Sequence, residues 1–313
     1  MPALAIDLGG THATCGIVAG AKIISRRTVE ASGAGGLKVL LPTLAKVFFE
    51  LLSECALELK DCEGVALAFC GIVDAERGCV LSTNQKYADA RALDLNAWCR
   101  QALGLPLRIE NDARMALLGE HFAGAGQGLD DLVIVTLGSG IGGASMMGGR
   151  LVRGKHFQAG CLGGHMPISL SGRKCTCGNT GCVETEASSW ALPGICQSWP
   201  GFGESVLAAE KKLDFATLFQ AAAACDRVAG EVLEHCLRAW SVGTVALIHA
   251  YDPEMVIFGG GVMQSGSMVL PFIENYVRQY AWTPWGKVRI RAAELGNDAA
   301  LLGAVPLLRG IGA

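Results

Sequence analysis

Apolar and polar positions change rhythm several times along the chain, and each change marks an element. The run from Ala3 is apolar until it ends in Asp7, the pattern of a strand. A Gly-Gly-Thr corner follows, then a second strand over residues 15–18, a turn at Gly20 and a third strand, which together make a β-meander with a polar first corner. From residue 37 to residue 59 apolar side chains recur at three- and four-residue spacing, which predicts a helix. "GVALAFCGIVD" returns to a buried strand. A loop around "STNQKYADA", a helix over Leu95–Leu103, a short strand "LRIEND" and a helix opening at "ARMALLGEHFAG" follow.

The second half repeats this plan. "DLVIVTLGSGIGGASMMGGRLVRG" is again strand, glycine-rich corner, strand, hairpin and strand. Two such repeats predict two related α/β lobes facing each other across a cleft. Two unrelated hairpins using glycine at tight turns would spell the same letters.

Length and charge narrow the function classes. The 313 residues are enough for two domains, since one core rarely grows beyond ~250–300 residues. With 26 basic and 29 acidic residues and no dense basic cluster, the chain offers no electrostatic footprint for nucleic acid. No apolar run reaches the ~18 residues of a membrane span, and "MPALAIDLGG" lacks the basic start of an export signal, so a cytoplasmic location is expected. The 13 cysteines are odd in number and mostly lie in apolar contexts, as at Cys15, Cys62, Cys70 and Cys236, where a small core side chain is wanted.

Both glycine corners can grip phosphate, because backbone N–H groups converge there with no Cβ in the way. Gly9, Gly10 and Thr11 would hold a nucleotide's phosphates from one side, and Gly138, Ser139 and Gly140, with Thr136 just ahead of them, from the other. A carboxylate at Asp7 beside phosphate calls for a divalent cation, and Mg²⁺ held largely through water suits it. Gly259, Gly260 and Gly261 in "YDPEMVIFGGGV" could carry the nucleoside, or could form a tight strand-to-helix turn with no ligand.

The ordered motifs "IDLGGT", "IENDA", "VTLGSGIGG", "GGHM…CTCGNTGCVETEAS" and "DPEMVIFGGGV" make the chain resemble the ROK family of bacterial sugar kinases and sugar-responsive repressors over nearly its whole length. The resemblance implies an actin-like, ribonuclease-H-like two-lobed fold, and ATP-dependent phosphorylation of a hexose or hexose-like sugar, usually at the 6-hydroxyl. It also implies a homodimer. Repressor members carry an added N-terminal helix-turn-helix; here the nucleotide-site strand begins at Ala3, so a kinase-type member without a DNA-binding domain is expected. The smaller lobe would span residues 1–117 joined by 297–313, and the larger 118–296.

By the same resemblance His165, Cys175, Cys177 and Cys182 bind a structural zinc. Three thiolates and one imidazole would fill a tetrahedral site and leave no place for water. The loop 167–174 is poor in apolar residues, so the metal is expected to order it and to set His165 and Glu184 beside the sugar. Three reduced thiols near a chance histidine are the plainer alternative. Asp112 takes the family's general-base position, where it would accept the hydroxyl proton as oxygen attacks phosphorus. A helix N-cap is its other reading. Asn111, Gly71 and Asn84 resemble sugar contacts, although Cys70 and Thr83 stand where the family pattern has proline.

One departure bears on specificity. Family kinases read Gly-Glu-x-Gly-His ahead of the zinc ligands, the glutamate binding sugar hydroxyls; this chain has "AGCLGGH", with Cys161 or Leu162 in that place. From Leu132 to Val183 there is no acidic residue to substitute. An acceptor lacking that hydroxyl, or carrying an apolar substituent, is favoured. A non-catalytic sugar-binding sensor of the same family is the alternative function.

Overall fold

The computed structural model describes residues 1–31, 35–83 and 87–312. The first meander forms as the apolar runs require: β1 (Ala3–Leu8), β2 (His12–Ala19) and β3 (Lys22–Glu30) are successive antiparallel neighbours. β4 (Val65–Phe69) is buried at every position. The chain then leaves for a separate hairpin of β5 (Gly71–Asp74) and β6 (Cys79–Thr83), and returns as β7 (Leu107–Asn111). The sheet order is β3-β2-β1-β4-β7, with β1, β4 and β7 parallel. The single strand expected over "GVALAFCGIVD" is therefore two strands in different sheets, divided at Cys70. Gly71 shows the reason, because a Cβ there would meet the Ser82 carbonyl and the Phe69 ring.

A second sheet contains β8 (Leu132–Leu137), β9 (Ile141–Met147), β10 (Arg150–Leu151), β11 (Met255–Gly259) and β12 (Arg289–Ala292), in the order β10-β9-β8-β11-β12. Again a meander arm lies on one side and two parallel partners on the other. β1 and β8 even share one burial pattern, in which only the fifth residue is half-buried: Asp7 in one, Thr136 in the other. The duplicated core expected from the sequence is present.

The chain divides into one compact unit of residues 1–130, 145–161 and 294–313 and a second of residues 131–144 and 162–293. In the first, the helix Leu37–Glu54 buries Leu37, Leu40, Leu41, Leu44, Phe48 and Leu51, the spacing read from the sequence. Gly36 offers it no side-chain cap, and the distant Asp89 accepts from the amides of Leu37 and Lys38 instead, at 2.9 and 2.8 Å. On the helix Asp112–Ala123 the fully buried Glu120 accepts from the amides of Ala125, Glu294 and Leu295. Gly119 of that helix lets the backbone of Ala299 come close, where a Cβ would collide with it.

The second unit is built around the helix Arg227–Tyr251, whose N-terminus is capped by Asp226. Trp240 on this helix is 2% exposed, packs 5.2 Å from the Phe215 ring and donates its indole N–H to the Ala187 carbonyl at 2.9 Å. Gly243 admits Val183 so closely that a Cβ would lie 2.8 Å from it. The short helix Val183–Ala187, which follows the cysteine motif, is thereby fixed on the core.

Candidate active site

In the first unit, β1 and β7 bring two carboxylates into each other's field. Asn111, the last residue of β7, caps the following helix through Oδ1, which accepts from the Arg114 amide at 3.2 Å. Asp112 is then the first helical residue rather than the cap. Its Oδ1 accepts from the Ala113 amide at 2.8 Å and from the Asn111 side-chain amide at 2.9 Å. Oδ2 has no partner among the described residues, which leaves one oriented oxygen to take a proton. Burial pushes Asp112 up to about 6, against the pull of those same hydrogen bonds. Asp7, half-buried near the end of β1, is also pushed up to about 6, by burial first and then by the like charge of Asp112.

Asn111 spends most of its hydrogen-bonding capacity locally. Its amide donates to the Gly71 carbonyl at 3.1 Å as well as to Asp112, so a lone pair on Oδ1 is what it retains for a ligand. Gly71 is held by this bond to the residue before Asp112. Asn84 lies outside the described residues.

The sequence did not reveal the buried ion network beneath these residues. Glu110 and Arg114 are both 0% exposed. Glu110 Oε1 accepts from the Asn111 amide at 2.9 Å and from Arg114 at 3.3 Å, and Oε2 accepts from Arg153 at 2.7 Å. Arg114 donates in turn to the carbonyls of Phe157 and Ala159 at 3.1 and 2.7 Å. An acidic residue facing the core from β7, four residues ahead of an arginine, was the available signal. Cys161 ends this segment half-buried; burial pushes its thiol up, and the sulfur lies within reach of the Gln158 carbonyl at 3.4 Å.

The glycine corners differ in how they are held. At Gly9 the amide donates to the His12 carbonyl and the carbonyl accepts from the Tyr87 hydroxyl at 2.9 Å, a tie that sequence reading missed. Thr11 closes the corner by accepting from the Ala31 amide. In the second unit the carbonyls of Gly138 and Ser139 accept from the amides of Ser189 and Trp190, whereas the amides of Ser139 and Gly140 have no partner among the described residues. A Cβ on Gly140 would come within 2.7 Å of the Glu184 carboxylate, which accepts from the Ile141 amide at 2.9 Å and from the Trp190 indole at 3.2 Å. Gly260 has φ 89° and would drive a Cβ into the Leu137 carbonyl, so the turn itself requires glycine; Gly261 faces open space, and Gly259 makes only an ordinary contact with Ala293.

His165, Cys175, Cys177 and Cys182 converge, their ligand atoms all within 4.8 Å of one another. Cys175 Sγ lies 3.5 Å from His165 Nδ1, and Cys177 Sγ lies 3.8 Å from Cys182 Sγ. A zinc tetrahedron with bonds of about 2.3 Å to sulfur and about 2.0–2.1 Å to nitrogen has S···S edges of about 3.8 Å and S···N edges of about 3.6 Å. Donor set and spacing both fit the metal. Order in the neighbouring loop does not rest on these ligands alone. The Gly181 carbonyl accepts from Ile168 and Ser169, and the buried Glu186 accepts from the Arg173 amide at 2.9 Å and its guanidinium at 3.1 Å, with His235 at 3.2 Å.

Comparison with known proteins agrees with this architecture. The family model described as "ROK family" matches residues 3–311. The chain is 29% identical to the glucokinase of Thermotoga maritima, covering 98% of this chain and 96% of that one. The ROK hexokinase from Thermus thermophilus superposes with a TM-score of 0.80 at 30% identity, covering 97% of this chain and 96% of that chain. The ROK family glucokinase from Streptomyces griseus, solved with glucose and AMPPNP, gives a TM-score of 0.78 at 29% identity, covering 99% and 100%. Fold and relatives together define the class, an ATP-dependent sugar kinase. The chain belongs to the ROK family. Among the described residues no helix is long and apolar enough to cross a membrane.

Proposed function

We propose that this sugar kinase transfers the γ-phosphoryl group of ATP to the 6-hydroxyl of a hexose-like acceptor with an unusual substitution pattern, using Asp112 as general base. The observation that carries the reading is the state of Asp112: one oxygen fixed by two donors, the other without a partner among the described residues, and a proton affinity suited to exchange near neutrality. Asp112 takes the hydroxyl proton as the oxygen attacks phosphorus. Little covalent chemistry is asked of the protein, so alignment and charge stabilisation supply most of the rate.

In the first unit Asp7, Gly9, Gly10 and Thr11 serve the nucleotide, with Mg²⁺ held at Asp7, and Gly71, Asn84 and Asn111 serve the acceptor. In the second unit Thr136, Gly138, Ser139, Gly140 and residues 259–261 serve the nucleotide, while His165 and Glu184 serve the acceptor. Mg²⁺ would neutralise charge on the transferring phosphoryl group. Zinc at His165, Cys175, Cys177 and Cys182 would be a closed structural site, with His165 Nδ1 as its nitrogen ligand and Nε2 left for a hydroxyl. A homodimer and a cytoplasmic location accompany this reading. The exposed Trp282 and Trp285 support the dimer, and sedimentation as a monomer would remove it.

Cys161 gives the acceptor its unusual character. A protonated thiol turned toward its own loop's carbonyls replaces a carboxylate, so a hydroxyl at that position gains little and an apolar substituent loses little. The test is ADP release on a panel of hexoses, deoxyhexoses, N-acyl hexosamines and cyclitols, with Asp112→Asn alongside. Acceptor-dependent release that the variant nearly abolishes is expected. A panel in which one sugar raises the melting temperature and none is turned over would replace the kinase with the sensor.

A further inference from the structure

Residues 153–161 follow a difficult path. Gly154, Phe157 and Gly160 take left-handed φ values of 66°, 57° and 78°, and Phe157 does so with a bulky side chain. Within the loop two backbone bonds help, from Ala159 to Arg153 at 3.0 Å and from Phe157 to Gly154 at 3.3 Å. The helix Asp112–Ala123 adds a further hold, through one guanidinium that serves two carbonyls of the loop.

We propose that the Glu110–Arg114–Arg153 network is a positioning device for acceptor binding, clamping the start of the 153–161 loop to β7 and its later part to the helix that begins with Asp112. The proposal rests on the kinase reading above. Arg153, at the start of the loop, is pinned by Glu110 Oε2 at 2.7 Å; Phe157 and Ala159, near its end, are pinned by Arg114. Glu110 Oε1 also holds the Asn111 amide, so a single carboxylate sets the backbone just ahead of the base and one end of the loop carrying Cys161. The charges of Arg114, Glu110 and Asp112 all act on the Cys161 thiol, as this closeness requires. Arginine is needed for the task, because its fork meets a carboxylate and two carbonyls at once where a lysine would offer one compact charge. Arg114 and Arg153 are accordingly positioning residues, since neither is assigned a contact with substrate.

Three variants test this: Arg153→Ala at the partly exposed edge, Arg114→Lys, and the charge-balanced Glu110→Gln/Arg114→Met, which avoids a buried unpaired charge if Arg114→Lys fails to fold. Each is read by steady-state kinetics and by hydrogen exchange at the Ala159 amide. The sugar KM is expected to rise roughly tenfold or more, by misplacement of the acceptor wall, while the KM for ATP stays within about twofold. Exchange at Ala159 is expected to quicken in all three. Unchanged exchange, or equal effects on both substrates accompanied by a lower melting temperature, would assign the network a purely structural role and overturn the proposal. Absence of turnover in the parent with every acceptor would instead defeat the kinase reading, and exchange at Ala159 would still decide whether the network holds the loop.

Discussion

Replacing Asp112 with asparagine is expected to stabilise the ligand-free protein above neutral pH while removing its turnover. Asp112 and Asp7 each sit near about 6 instead of 3.8. Between those values the folded chain holds protons that the unfolded chain has released. Their stabilising contribution is therefore complete below the unfolded value and is lost as pH rises through about 6. A shift of about two units corresponds to about 3 kcal/mol for one group, and partial solvent access brings this toward about 2 kcal/mol. Asparagine keeps an oxygen for the Ala113 amide and removes the like charge that burdens Asp7. For a chain of this size about 2 kcal/mol is a rise in melting temperature of roughly 4–6 °C. Calorimetric melts of parent and variant should nearly coincide near about pH 4 and separate fully above about pH 7. Mg²⁺ with nucleotide should narrow the gap, because a cation beside the carboxylates relieves the same repulsion. A variant melting at or below the parent at about pH 8, or an offset independent of pH, would refute the reasoning.

The same carboxylate sets the rate profile: kcat/KM should climb through an apparent pKa of about 6 and level off above it, and activity that rises toward acid pH would contradict the base assignment. Elemental analysis should find one zinc per chain, and Cys177→Ser should lower both that stoichiometry and the melting temperature; full stability without metal would remove the structural role. Cys161→Glu should move acceptor preference toward hexoses with a free hydroxyl by roughly tenfold or more in kcat/KM, measured as a ratio between two acceptors; an unchanged ratio would separate Cys161 from specificity. Gly140→Ala forces a methyl against the Glu184 carboxylate and should raise the KM for ATP roughly tenfold, and an unaffected KM would remove this corner from the nucleotide site.

Much of the architecture was legible because it is local. The runs over β1 and β8, the glycine corners and the cysteine spacing carry their meaning within a few residues, and the helix Leu95–Leu103 was read to its ends. Interactions between residues far apart in sequence escaped. Asp89 caps a helix more than fifty residues upstream, Tyr87 ties down Gly9, and Glu186 anchors Arg173, all pairings that no periodicity encodes. The capping of the helix Asp112–Ala123 fell between these cases: the cap was read at Asp112, and the backbone gives that place to Asn111. Arg114 was hidden because a charged residue on a helix is ordinarily solvated, and only its partners at Phe157 and Ala159 show why it can be buried.

The clasp at Glu120 imposes an order on biosynthesis. A ribosome delivers β1 through β7 and the helix bearing this carboxylate long before residues 294 and 295 exist to donate to it. Throughout that interval the nascent first unit keeps a carboxylate without two of its three amide donors and an open groove where the backbone of Ala299 will later press against Gly119. The half-made chain is thus the species most in need of a chaperone, and disruption of the last-translated helices should appear first as failed maturation rather than as altered catalysis.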